Sequence, residues 1–461
     1  MIKYLFPYTL HLQILQLYEY TINDLLRWTQ HHYFTRSTEN KKPIVWTPKA
    51  RFIYILAIIL ALSSALIFTV SLGVTGFLLG LIIATQAYIF LVISRLILLP
   101  WEKYQKNKIK TETENKILKQ RGLKVIGITG SYGKTSVKEF LYQILKCKYN
   151  VLKTPESFNT PYGIAKVVDL ELDDSYDYFI CEMGAYRVGE IKEICDMVHP
   201  QYGILTGINE QHLSTFKSIQ NTISGKFELF KSIPSQGFGI YNRDNALIVN
   251  NVGQCSTKLY DYGYSSNNYS VTNIHQSHNG SEFDLILKGK SYRASTKLFG
   301  RSNIQNILAA AAMSHLLGVN PNQIVQMIGT LAYIPHRLQL IRRKDILLID
   351  DAYNSNVDGF KEAIHLLKTF GKNTVFVTPG IVDLGTNSEA IHKELGEYTN
   401  GIDYVILVGK SQMTSGLKKG IPEATKIIEI DSIKEVWSCI RNLNITNPIV
   451  LLENDLPDNY L

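Results

Sequence analysis

The 461-residue chain is too long for one ordinary core, so two or three folded units with attachments are expected. Hydrophobic residues make up 45% of it, charged residues 19%, and the formal net charge is +8. Much of the positive excess flanks an apolar stretch and no aromatic-basic pattern accompanies it, which argues for membrane contact and against nucleic acid. The five cysteines (Cys147, Cys181, Cys195, Cys255, Cys439) show no paired spacing for zinc or a disulfide framework, which fits a reducing cytosol for the globular part.

The first segment, LHLQILQLYEYTINDLLRW, carries apolar residues at helical spacing. It suits an interfacial helix or a helix packed on a soluble domain equally well. From Phe52 to Ser71 the chain is uncharged, and a second apolar run extends from Phe77 to Leu99, interrupted by Arg95. Each run approaches the ~20 residues that span a hydrocarbon core, so a two-helix transmembrane hairpin is expected. Lys41, Lys42, Lys49 and Arg51 precede it and Lys103, Lys106, Lys108 and Lys110 follow, while the turn has no basic residue. The positive-inside rule then places both flanks, and everything after Pro100, in the cytoplasm at the inner membrane.

Next comes KVIGITGSYGKTSVKEFLYQIL. Val125–Thr129 reads as a buried strand and Gly130–Thr135 as a turn. The following helix has Val137, Phe140, Leu141, Ile144 and Leu145 on one face. Strand, glycine turn and helix aim backbone N–H groups at phosphate. Gly130, Ser131, Gly133 and Ser136 would line it, Lys134 would reach the terminal phosphates, and the Thr135 hydroxyl would hold magnesium.

The short GxxGKT form resembles the loop of the Mur ligases. The resemblance extends over about Leu123 to Asp403 and is nearest the branch that adds D-alanyl-D-alanine to a UDP-N-acetylmuramoyl-tripeptide. It implies ATP and magnesium as cofactors. In YDYFICEMGAYRVGEI it makes Glu182 a magnesium ligand. In QYGILTGINEQHLSTF and SGKFELF it makes His212 and Lys226 holders of a second magnesium, with Lys226 carbamylated. Lys134, Glu182, His212 and Lys226 are the implied catalytic set. ESFNTPYGI resembles a substrate-proximal loop, with Asn159 and Thr160. FGRSNIQNILAAAA supplies Asn303 and Asn306 near the adenine, with Ser302 where the family has histidine. Arg337 and Asp351 would contact the nucleotide, and Tyr353, Asn354 and Asn356 of DDAYNSN would shape the substrate side. VDLGTN resembles the family's Glu-Leu-Gly stretch, with Asp383-Leu384-Gly385 in its place.

The expected organisation is α/β: a phosphate-loop central domain with a small β subdomain, then a Rossmann-like domain, preceded by the hairpin. Its divisions are an N-terminal segment 1–50, transmembrane helices 51–100, a linker helix 101–120, a central ATP-binding domain 121–333 and a C-terminal domain 334–461. Within the central domain, Gly237 to Phe299 should form the β subdomain. Strands are expected in DILLID, TVFVTPG, DYVILVG and PIVLLE. The implied function is an ATP-dependent ligase joining a carboxylate-bearing cell-wall precursor to an amino acid or dipeptide at a lipid bilayer. Ligation onto another polymer or membrane-linked precursor is the near alternative. A non-catalytic scaffold and a transporter ATPase fit less well, because Lys134, Glu182, His212 and Lys226 are all present and a second acidic nucleotide motif is not. The usual substrate-gripping N-terminal domain and a terminal Lys-Gly-Ser are lacking, so the substrate is the least determined feature.

Overall fold

The structure, a computed structural model, describes residues 7–18, 20–32, 44–156, 158–209, 216–277, 280–343, 345–352, 356–382, 384 and 387–453. Expectations on Lys41, Lys42, His212, Tyr353, Asn354, Asp383, Gly385 and the final eight residues lie outside these. The chain divides into two compact units, Met1–Ile109 and Lys110–Leu461.

In the first unit, helix α1 (Tyr8–Leu17) and helix α2 (Ile22–His32) precede the apolar helix α3 (Pro48–Ala84). Thr47 caps α3 by accepting from the Ala50 amide, and Pro48 fits the first turn, where no N–H is needed. Its 37 residues do not form one rod. Gly73 has φ 62 and ψ −137, a reversal open to a residue without Cβ. The chain folds back there. A Cβ at Gly80 would lie 2.7 Å from the Ala65 Cα, and one at Gly76 would lie 1.8 Å from the Phe68 carbonyl oxygen. Glycines thus let the two legs touch backbone to backbone.

The second expected span is not continuous. Helix α3 ends at Ala84, and helix α4 (Ala87–Lys119) begins after Thr85 and Gln86 and then continues past Pro100 to Lys119. The Ala84 carbonyl at this break accepts from the Tyr8 hydroxyl at 2.8 Å, so α1 satisfies backbone that the helix gives up. Near the other end of the legs, Glu102 bridges Lys49 (2.9 Å) and Arg95 (2.8 Å). Among the described residues one helix, α3, is long and apolar enough to cross a membrane, and 17% of its most apolar stretch is buried. Leu62, Leu66, Val70, Val74, Phe77 and Ile82 are each more than half exposed, which a soluble core helix would not tolerate.

The second unit holds two parallel sheets. The first contains strands β1 (Lys124–Thr129), β2 (Val151–Lys153), β3 (Tyr178–Glu182), β4 (Tyr202–Leu205), β5 (Phe238–Asn242) and β6 (Lys258–Tyr262), in the order β2-β3-β1-β4-β5-β6. Residues 125–129 of β1 are all buried, as a central strand with helices on both faces requires. Helix α5 (Lys134–Leu145) lays Val137, Phe140, Leu141, Ile144 and Leu145 on that sheet, the face read from the sequence.

The β subdomain is smaller than expected. β5 and β6 complete the parallel sheet, and only β7 (Tyr269–Ser277), β8 (Gly280–Leu287) and β9 (Lys290–Thr296) form a separate antiparallel sheet. The Tyr-rich composition of 237–299 does not distinguish edge strands of a parallel sheet from a meander. Helix α6 (Arg301–Leu316) then buries its alanine run, Ala309–Ala312, against α5.

The last sheet has the order β10-β11-β15-β12-β13-β14. Strands β11 (Ile346–Asp351), β12 (Thr374–Thr378), β13 (Tyr404–Val408) and β15 (Ile449–Glu453) are the four read from the sequence. The edge strands β10 (Gln339–Arg343) and β14 (Lys426–Ile430) are additions; their half-buried, charged sequences carry no clean alternation.

Gly80→Leu should force the legs of α3 apart at a cost of about 1–3 kcal/mol. Thermal unfolding of the detergent-solubilised chain followed by circular dichroism should show a lower midpoint. Gly253→Leu, whose Cβ position is open, should leave the midpoint unchanged.

Candidate functional site

β1 lies between β3 and β4, all parallel, so their C-terminal ends meet at one edge. Such an edge, where chain connections diverge, leaves a crevice for ligands. After β1 the chain turns through Gly130–Gly133 into α5. Gly133 has φ 78, and a Cβ there would sit 2.7 Å from the Asn306 Oδ1. Gly133 and Asn306 therefore face one another. The Ser131 amide donates to the Gly207 carbonyl (2.7 Å), the Asn209 amide donates to the Ser131 hydroxyl (3.3 Å), and the Thr206 hydroxyl donates to the Tyr132 carbonyl. These bonds fasten the turn to the end of β4.

Lys134 opens α5, and its ammonium curls back to donate to the Gly130 carbonyl at 2.8 Å. Burial lowers its pKa, Glu182 opposes that shift, and Arg337 reinforces it. Glu182 ends β3 opposite Ile128 and is 1% exposed. Its Oε2 accepts from Lys138 (3.1 Å) and its Oε1 from the Asn159 amide (3.1 Å). Burial pushes its pKa up, but the charges of Lys138 and Lys134 outweigh this and hold it below the usual value.

Lys226 lies on the buried face of the helix Ile219–Ser232, with its ammonium 5.6 Å from the Phe216 ring centroid. Burial lowers its pKa to about 7, with Lys134 contributing. Lys134 thus lies within electrostatic reach of both Glu182 and Lys226.

A second group lines a cavity of about 270 Å³ with Tyr132, Gly133, Ser136, Asn303, Asn306 and Arg337 on its walls. Asp351 and Asn356 belong to the same cavity. Arg337 is presented by an unusual backbone: His336 and Leu338, on either side, have φ 60 and 47. Two carboxylates hold that conformation, the buried Asp350 pairing with His336 (2.9 Å) and the half-buried Asp351 accepting from the Leu338 amide (3.0 Å). Burial raises the Asp351 pKa to about 6.

Several expected residues have local duties. Thr160 caps the helix Pro161–Glu171, and Asn356 caps the helix Val357–Thr369. Asn303 donates to the Phe299 carbonyl (2.8 Å). At Ser302, the expected histidine position, the backbone amide donates to Glu362 at 2.9 and 3.2 Å. Glu362 is thus a cleft carboxylate that sequence reading misses, with a pKa raised to about 7 by burial. Lys138 is also missed, although a lysine on the apolar face of α5, one turn after Lys134, is a signal in itself.

A family model described as the Mur ligase middle domain matches residues 128–314, and one described as the Mur ligase, glutamate ligase domain matches 336–452. The chain is 33% identical over 306 residues to UDP-N-acetylmuramoyl-tripeptide--D-alanyl-D-alanine ligase of Escherichia coli (strain K12), covering 65% of this chain and 68% of that protein. With the protein of the same name from Bacillus subtilis (strain 168) it shares 31% over 299 residues, 64% of each. The chain therefore matches about two thirds of the length of these relatives. Among solved structures, MurF from Acinetobacter baumannii superposes with a TM-score of 0.69 at 25% identity, covering 76% of this chain and 77% of that one. MurF from Thermotoga maritima in complex with ADP gives 0.69 at 22%, covering 76% and 80%, a likeness of fold.

The depressed Lys226 pKa makes a pH prediction. Between about 7 and the model-compound value of 10.5 the unfolded chain binds more protons at this lysine than the folded one, so its burial costs less as pH rises. In bicarbonate-free buffer, the unfolding midpoint of the wild type relative to Lys226→Met should rise between pH 7 and 10. A difference independent of pH would contradict the assignment.

Proposed function

This chain belongs to the Mur ligase family, and on that premise we propose that it joins D-alanyl-D-alanine to the free carboxylate of a UDP-N-acetylmuramoyl-tripeptide-like precursor, at the expense of ATP. The observation that carries the reading is the placement of Lys134 beside both Glu182 and Lys226, inside the stretch shared with D-alanyl-D-alanine ligases.

The acceptor carboxylate attacks the γ-phosphorus of ATP, releasing ADP and forming an acyl phosphate. The amine of the dipeptide then attacks the acyl carbon, loses a proton, and the tetrahedral intermediate expels phosphate as the amide forms. The protein's contribution is to hold crowded negative charge and align the reactants. Lys134 leaves the Gly130 carbonyl to grip the terminal phosphates, while the turn amides of Gly130, Ser131 and Gly133 and the first turn of α5, with Ser136, cradle them. Asn303, Asn306, Arg337 and Asp351 hold the nucleoside side. The resemblance to the family assigns Asn159, Thr160, Tyr353, Asn354 and Asn356 to the substrate side.

The hydroxyl of Thr135 and the carboxylate of Glu182 are hard oxygen donors of the kind magnesium takes beside nucleotide phosphates. Held by these two oxygens, magnesium would supply positive charge against the developing phosphate charge. Lys226, half neutral near pH 7, suits carbamylation. Its amine adds to carbon dioxide and loses a proton, exchanging a buried cation for an anion that, with His212, suits a second magnesium.

The exposed apolar legs of α3 support anchorage of the chain in a lipid bilayer as a multi-pass protein of the inner membrane, with both ligase domains in the cytoplasm. The same hairpin stands outside the matched stretch, in the first 127 residues, which favours a membrane-linked or other polymeric acceptor as the second reading.

Lys134→Ala should abolish ADP release and amide formation with UDP-N-acetylmuramoyl-tripeptide, D-alanyl-D-alanine, ATP and magnesium; retained turnover would sink the assignment. In a phosphate-release screen, turnover of the wild type only with glutamate-type acceptors would select the second reading. The full chain should stay with membranes through an alkaline carbonate wash, and its appearance in the soluble fraction would refute the anchor.

A further inference from the structure

Lys138 stands one helical turn after Lys134 on α5 and is fully buried. A buried ammonium needs partners on every side it can donate to. It has Glu182 at 3.1 Å, the Glu156 carbonyl, and Glu139 at 3.8 Å. Glu156 is a non-glycine residue at φ 41, a conformation that must be held from outside.

The same stretch touches Glu182 at two points and Gly184 at a third. Thr154 accepts from the Glu182 amide (3.1 Å), Asn159 donates to the other carboxylate oxygen (3.1 Å), and the Gly184 amide donates to the Asn159 carbonyl (2.9 Å). Thr154, Glu156 and Asn159 are therefore gathered about one carboxylate, with Lys138 joining Glu182 to Glu156.

We propose that Lys138 is a positioning residue for the ligation: it fixes the Glu182 carboxylate and, through the Glu156 carbonyl, clamps Thr154–Asn159 as the acceptor-side wall of the site. Lys134 answers to the nucleotide. Lys138 is fully buried, and it donates within the protein to Glu182 and to the Glu156 carbonyl. Its removal therefore affects acceptor binding more than nucleotide binding. The acceptor part rests on the ligase reading; the clamp itself does not.

The test uses the full detergent-solubilised chain carrying Lys138→Met, with Lys138→Arg as the charge-retaining variant. Because Lys138→Met leaves a buried carboxylate short of its cation, Asn159→Ala, which opens the same wall from its solvent side, is measured in parallel. Hydrogen exchange in peptides covering Glu182 and Gly184 should quicken at least about tenfold in Lys138→Met and Asn159→Ala, the scale of one charged hydrogen bond. The KM for UDP-N-acetylmuramoyl-tripeptide should rise by a similar factor, while the Kd for ADP stays within about twofold. Lys138→Arg should recover part of both effects. Unchanged exchange in both variants overturns the proposal. So does ADP affinity falling in step with KM, which would make Lys138 a support of the phosphate turn as a whole. If the wild type does not turn over this acceptor, it is the ligase reading that fails, and the exchange and ADP measurements still decide the clamp.

Discussion

A carboxylate enclosed by protein persists as an anion only where cations and donors surround it, and that requirement at Glu182 organises the site. The β1–β3 register brings Glu182 level with Ile128, next to the turn that carries Lys134. Lys138 and Asn159 each take one carboxylate oxygen. Removing Lys138 leaves a buried charge without its cation, a cost of several kcal/mol, whereas removing Asn159 costs one hydrogen bond to a charged group. The strand ends, the first two turns of α5 and the Thr154–Asn159 stretch are thus mutually dependent, although they are far apart in the chain.

The C-terminal sheet solves a related problem at Arg337. Two residues in left-handed conformations flank it, and neither is glycine. Asp350 and Asp351, at the end of β11, supply the bonds that keep them there. A guanidinium is held over the cleft by strain that two acids offset. Glu362 adds a third carboxylate at the N-terminus of α6, where backbone amides and the helix dipole favour negative charge.

Much of this was legible in the sequence because it rests on local chemistry. The apolar run of β1, the glycine turn and the period of α5 declare themselves within about twenty residues, and the four inner strands of the last sheet are short apolar runs with turn residues at their ends. Glu362 was not legible, and Lys138 only as a lysine out of place on an apolar face, since their partners lie in segments that folding brings near. Asn159 and Asn303 were read as ligand contacts, but each also makes a bond within the protein that no spacing rule reveals. The interrupted second leg escaped detection for another reason. Thr85 and Gln86 are polar but uncharged, and a hydropathy window averages over them, whereas the backbone there changes direction and borrows a hydroxyl from Tyr8.

The reversal at Gly73 carries a further consequence for the proposed seating of the hairpin in a bilayer. No ionisable acid, base or histidine occurs between Phe52 and Ser94. Moving one elementary charge across a membrane potential of 100 mV changes the energy by about 2.3 kcal/mol. Threading this hairpin, turn included, moves none. Insertion, as proposed, would therefore be indifferent to voltage and to whether the cell is energised, and seating would depend on hydrocarbon thickness and on the charged Lys49–Glu102–Arg95 bridge at the foot of the legs.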